Sequence, residues 1–245
     1  MFYQSMGEKQ APTVVLLPGF TGSRGDLFGL AGRLNASGIN ALFFNYRGTR
    51  DSEGLFTPDN SVTDAVNAIR YLKSEKIARQ FHIDTTRIIL LGHSWGGSVA
   101  LLASLHFPSV KKIVSIATTD FKVFADLLEE NESFRKWHQD YLDKILSDST
   151  LMRAPGGKES HEWLMAHRGN YDLQKRAGKL ADKQILLIGG WLDRKAPVEV
   201  HMIPFYRALQ RNGAENIRIK IYDTDHSFRN VHDQIFKDAI EWIRK

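Results

Sequence analysis

Short apolar runs rich in branched residues recur along this chain without strict polar alternation, and longer segments of helical period lie between them. Strands that stay apolar at consecutive positions are buried on both faces, as in a parallel sheet with helices on either side. Strands are expected near 12–17, 39–45, 86–91, 111–116, 184–189 and 216–222, and helices near 26–37, 60–80, 95–107, 199–212 and 229–244. In the second helix, Val62, Val66, Ile69, Tyr71 and Leu72 keep one apolar stripe. This alternation implies an α/β fold with right-handed crossovers.

One connection breaks the rhythm. Residues 118–183 are far longer than a plain crossover between the fourth and fifth strands requires, so they read as an insertion in a core formed by 1–117 and 184–245. Within it Phe134, Trp137, Tyr141 and Ile145 recur at three or four residues, along one face of a helix. The plain expectation for that stripe is packing of the insertion onto the core. No repeat or low-complexity linker divides the chain further.

In an open parallel sheet, functional groups gather at the carboxyl ends of the strands. Three ends carry reactive residue types. After 86–91 comes Gly92-His93-Ser94-Trp95-Gly96-Gly97, leading at once into a helical run. A serine at such a turn needs a strained backbone, and Gly92 and Gly96 remove the side chains that would collide there. After 184–189, Asp193 stands four residues past the strand, and after 216–222 His226 stands at the equivalent point. Asp225 adjoins His226 and reads as a turn residue. Asp120 is another acid just past a strand end, at 111–116, and His93 reads as structural.

Gly-x-Ser-x-Gly between strand and helix, followed in chain order by an acid loop and a late histidine, resembles the α/β-hydrolase family. The resemblance runs from about residue 12 to the C-terminus, with 118–183 in the place of that family's variable helical cap or lid. Within the family it is most similar to small serine esterases of the cinnamoyl or feruloyl esterase and monoglyceride lipase sort. It implies Ser94 as nucleophile, His226 as base and Asp193 as orienting acid, with an oxyanion hole formed by the amides of Trp95 and Phe20. Many relatives carry His where this chain has Pro18, which has no N–H to donate. The implied cap rises over the strand ends, and its aromatic residues Phe134, Trp137, Trp163 and Tyr171 are candidates for substrate contact. The chain is also expected to leave little room for the family's leading hairpin.

The resemblance implies hydrolysis of a small-molecule carboxylic ester; a peptidase, thioesterase or acyltransferase on the same triad, or a non-catalytic binding protein on this scaffold, are the alternatives. Serine at position 94 argues against dehalogenases and epoxide hydrolases, which need aspartate there. No metal or organic cofactor is implied. His161 and His167 stand six apart rather than the four that would share a helix face for zinc, and Gly156-Gly157-Lys158 lacks the rest of a phosphate loop. Asp26 reads as a helix cap rather than part of an adhesion tripeptide. With no cysteine, disulfide and thiol chemistry are excluded. The 33 Lys and Arg against 28 Asp and Glu are scattered, which gives nucleic-acid binding little support. No apolar run approaches a membrane span. The N-terminal residues lack the basic start and apolar core of a secretory signal, which favours the cytoplasm, although a trimmed secreted chain would read the same.

Overall fold

A computed structural model describes residues 1–5, 9–21 and 27–245. Its sheet has seven strands in the order β1-β3-β2-β4-β5-β6-β7. The strands are β1 (Phe2–Tyr3), β2 (Ala11–Leu17), β3 (Asn40–Phe43), β4 (Ile83–His93), β5 (Lys112–Ile116), β6 (Gln184–Gly190) and β7 (Ile217–Tyr222). All neighbours pair in parallel except β1, which runs antiparallel to β3. The six expected strands are therefore present. The seventh is a two-residue edge on the side where little room for a hairpin was expected.

Successive residues of one strand enter different cores, which explains the unbroken apolar runs. Val14, Leu16, Ile89, Leu91 and Val114 join one cluster, together with residues of α1 (Leu30–Ala36) and α10 (His232–Arg244). Val15, Leu17, Leu90 and Ile113 join the other, with α2 (Pro58–Lys73), α4 (Trp95–Ser104) and α9 (Ile203–Arg211). Strand side chains alternate between faces, and here both faces are dry. Truncating a fully buried member such as Leu16 is expected to cost about 2–5 kcal/mol.

Three helix boundaries depart from expectation. The first helix starts at Leu30 because Leu27, Phe28 and Gly29 all have left-handed φ values (47°, 67° and 93°). The expected cap Asp26 lies outside the described residues. The expected helix over 60–80 is broken at Ser74, whose ψ of 136° ends α2 before the short α3 (Glu75–Gln80) begins. The helix after β6 opens with a π-helical turn, Val198–Met202.

Residues between β5 and β6 are helical: α5 (Phe121–Glu130), α6 (Glu132–Leu146), α7 (Gly157–His167), a 3₁₀ turn at Arg168–Tyr171 and α8 (Ala177–Leu180). Asp120 and Asn131 cap α5 and α6 through their side-chain oxygens. Arg168 ties the 3₁₀ turn to Asp126 and Glu129 on α5. The α6–α7 loop is stitched to the core by backbone hydrogen bonds: Arg50 N–H donates to Leu151 O at 3.1 Å, and Phe56 N–H to Arg153 O at 2.7 Å. Gly48 is needed at this seam, since its φ is +75° and a Cβ there would lie 2.4 Å from Arg153 O. The stripe of α6 packs only in part: Phe134 and Ile145 are half-buried against the core as expected, and the two residues between them are not. Trp137 is 60% exposed and Tyr141 42%, while the buried residue of that helix is Leu142. Among the described residues no helix is long and apolar enough to cross a membrane.

Candidate active site

β4 delivers Ser94 to its carboxyl end, and α4 departs immediately. Ser94 has φ 55° and ψ −117°, a conformation costing about 1–3 kcal/mol that persists only where the surroundings impose it. They do so through Ser94 N–H, which donates to Ile116 O at 2.8 Å on the neighbouring strand. The glycines allow close crossing of backbones. A Cβ on Gly92 would lie 1.9 Å from Gly96 O, and one on Gly96 would lie 2.0 Å from Leu17 O. Both glycines of the motif are thus required by contact with specific backbone atoms.

The three strand-end residues meet in one line of hydrogen bonds. His226 Nε2 lies 3.0 Å from Ser94 Oγ, and His226 Nδ1 lies 2.7 Å from Asp193 Oδ2. A carboxylate only accepts, so Nδ1 carries the proton and Nε2 is free to accept from the serine hydroxyl. Asp193 is itself fixed: its other oxygen, Oδ1, accepts from the amides of Lys195 and Ala196, both at 2.9 Å. Burial pushes the Asp193 carboxyl up, but the hydrogen bond and charge of His226 together with those two amides more than offset it, so its pKa falls below the ordinary value. The acid and histidine loops are held side by side by Leu192 N–H donating to Thr224 O at 3.0 Å.

The competing residues are placed elsewhere. Asp120 is buried at the N-terminus of α5, accepting from Lys122 N–H at 2.9 Å and Val123 N–H at 3.4 Å. Burial pushes its pKa up to about 7 against the pull of those amides. Asp225 accepts from the Ser227 amide and hydroxyl and forms a local turn. His161 pairs with His138 across α6 and α7, Nε2 to Nδ1 at 2.8 Å, whereas His167 Nδ1 donates to Trp163 O.

Trp95 is the first residue of α4, where backbone N–H groups have no acceptor within the helix. The loop bearing Phe20 passes directly over Ser94, since a Cβ on Gly19 would lie 3.3 Å from Ser94 Cβ. Rings surround this point: Phe20 packs near Trp95, Phe56 and Tyr141, and Trp95 lies 4.3 Å from Phe121 between ring centres. Of the four aromatic candidates in the insertion, Phe134 and Trp137 connect to this group through Tyr141, on which Trp137 stacks. Tyr171 is buried against Phe121, and its hydroxyl donates to Asp59 at 2.6 Å. Trp163 stacks on His167. Sequence reasoning passed over Thr119, whose hydroxyl lies 3.4 Å from Ser94 Oγ and which belongs to no motif. It also left Tyr141 out of the candidate contacts, although the α6 spacing contained it.

A mostly parallel sheet with a serine turned out at the end of a central strand is the α/β-hydrolase architecture. The chain belongs to the alpha/beta hydrolase fold family, which matches residues 12–189, a stretch that includes Ser94 and ends short of Asp193 and His226. Cutinase 2 of Thermobifida cellulosilytica is 22% identical over 95% of this chain and 67% of its own length. The uncharacterized protein YfhR of Salmonella typhi is 29% identical over 40% of this chain, a match spanning about a third of that relative (32%). Among solved structures, the Pyrococcus furiosus esterase Pf2001 superposes with a TM-score of 0.73 at 19% identity, covering 97% of this chain and 83% of that one.

Proposed function

We propose that the chain is a serine hydrolase that cleaves carboxylic esters of small to medium acyl groups, aromatic ones included, through an acyl-enzyme. The observation that carries this reading is the continuous line from Ser94 Oγ through His226 to Asp193, at 3.0 and 2.7 Å. Similarity to a cutinase over 95% of the chain supports ester cleavage in particular. In this reading Ser94 attacks the acyl carbonyl as His226 Nε2 takes its proton, and Asp193 steadies the imidazolium that forms. The amides of Phe20 and Trp95 stabilise the oxyanion. His226 then returns the proton to the leaving alcohol, and a water activated by the same nitrogen releases the acid.

Residues 118–183 serve as the cap over this site. Tyr171 and the 48–56 seam fix the cap to the core, and the Trp137–Tyr141 stack beside Phe20 meets the acyl or aryl group. A fluorophosphonate probe tests the chemistry. It is expected to add to Ser94 of the wild-type protein and not to Ser94→Ala, with hydrolysis of p-nitrophenyl esters lost in parallel. A folded wild-type protein that neither labels nor hydrolyses would instead be a binding protein on this scaffold.

A further inference from the structure

We propose that His93, the residue before the nucleophile, is a positioning residue that locks the base, the nucleophile turn and the oxyanion loop into one register; this rests on the triad reading given above. Its side chain is 9% exposed, and its Nε2 lies 2.9 Å from the backbone carbonyl of His226. A carbonyl only accepts, so His93 donates from Nε2 and anchors the main chain of the residue whose ring must satisfy Ser94 and Asp193 at once. The opposite ring nitrogen abuts the oxyanion loop: a Cβ on Gly19 would sit 3.2 Å from His93 Nδ1. The two imidazole centres are 4.9 Å apart, and Phe28 and Phe228 meet the His93 ring edge-on.

A neutral ring suffices for this placement, since Nε2–H alone makes the bond to the carbonyl. Burial, followed by the charge of His226, pushes the His93 pKa down to about 4; the bond to the His226 carbonyl and the Asp193 charge oppose that shift, and Lys195 reinforces it. His93 therefore stays neutral while His226 cycles its proton, and it holds the base without competing for that proton. The choice of histidine follows from reach. It is long enough to cross from the end of β4 to the His226 loop, flat enough to lie under Gly19, and able to donate at its far end.

The test pairs His93→Met, which keeps bulk and removes the donor, with His93→Gln, whose amide N–H reaches the place of Nε2. His93→Met is expected to lower kcat roughly 10- to 100-fold, the scale of a misplaced catalytic group, with KM little changed. His93→Gln is expected to recover most of that loss. Wild-type rates in His93→Met, or equal losses in both variants, would overturn the proposal, the second by assigning the effect to packing. If His93→Met does not fold, nitrogen NMR of the wild-type protein decides. A neutral Nε2–H tautomer from pH 5 to 8 upholds the role, and an Nδ1–H tautomer or protonation in that range refutes it. Ser94→Ala keeps the two readings apart: full activity there defeats the triad, whereas a dead Ser94→Ala beside a normal His93→Met defeats only this proposal.

Discussion

The strand ends and residues 118–183 touch near Ser94, through Thr119 and through Tyr141 beside Phe20, but they are built by different means. At the strand ends, reactive side chains are set by the backbone: a strained turn at Ser94, two amides on Asp193 Oδ1, and paired loops under His226. In the insertion the anchors are mostly side chains, such as Arg168 to Asp126 and Glu129, His138 to His161 and Tyr171 to Asp59. The 48–56 seam adds main-chain bonds, as does Thr119 N–H donating to Ser94 O at 3.4 Å. Backbone-set geometry tolerates almost no substitution, whereas a surface of packed rings can change its residues and keep its shape. In the function proposed above, chemistry belongs to the first region and selectivity to the second.

The largest effect that could break this division is at Ser94. Ser94→Ala should fold normally and lose about 10⁴- to 10⁶-fold in kcat, by analogy with other triads; near-normal turnover of the folded variant would remove the chemistry from the strand ends. Asp193→Asn comes next. It should preserve packing yet cost about 10³- to 10⁴-fold by setting the wrong His226 tautomer. Asp120→Asn is the control, and a larger kcat loss there than at Asp193 would shift the acid to the base of the insertion.

The same contrast explains what the sequence disclosed. The elbow was legible because Gly92 and Gly96 record contacts with backbone four or five residues away or on the adjacent strand, at a spacing any sequence must keep. Asp193 and His226 were legible because strand ends are found from apolar runs. Ser74 and the left-handed turn at Leu27–Gly29 were not, because no residue there is an obligatory breaker before the helix that follows. Edge strand β1 is too short to show a period. The seam of Gly48 and Phe56 with Arg153, and the approach of Tyr141 to Phe20, join segments about a hundred residues apart and leave no local pattern. The exposure of Trp137 and Tyr141 within the α6 stripe was not legible for a related reason, since a period of 3.6 reveals a face but not what covers it.

Asp120 offers a pH test of the insertion's base. Its folded pKa of about 7 stands above the unfolded value of about 3.9, so between them the folded protein holds a proton that the unfolded chain has lost. The sign follows from that difference: the stability contributed is full below about pH 4 and is lost as pH rises towards 7, at no more than about 1.4 kcal/mol per pH unit. Thermal melts from pH 4 to 8 should show wild type losing stability relative to Asp120→Asn over this range. A difference between the two that does not change with pH would mean that Asp120 is ionised throughout as an ordinary helix cap.

The smallest effect is the most informative about the insertion. Trp137 is 60% exposed, so Trp137→Ala should leave the melting temperature nearly unchanged, unlike truncation of a buried ring. Its ring stacks on Tyr141, which lies 6.4 Å from Phe20, and thus stands at the edge of the ring cluster beside Ser94. Loss of one apolar contact with a bound acyl group is worth about 1–3 kcal/mol, or roughly 10- to 200-fold between substrates that use it and those that do not. Partial exposure places Trp137 at the low end of that range. Acetyl esters, too short to reach the ring, should keep their kcat/KM, while aromatic acyl esters lose several-fold, so the ratio between them moves. An unchanged ratio in a stable variant would make the Trp137–Tyr141 stack a surface of the insertion alone, and selectivity would then have to be set within the rings of Phe20, Phe56, Trp95 and Phe121.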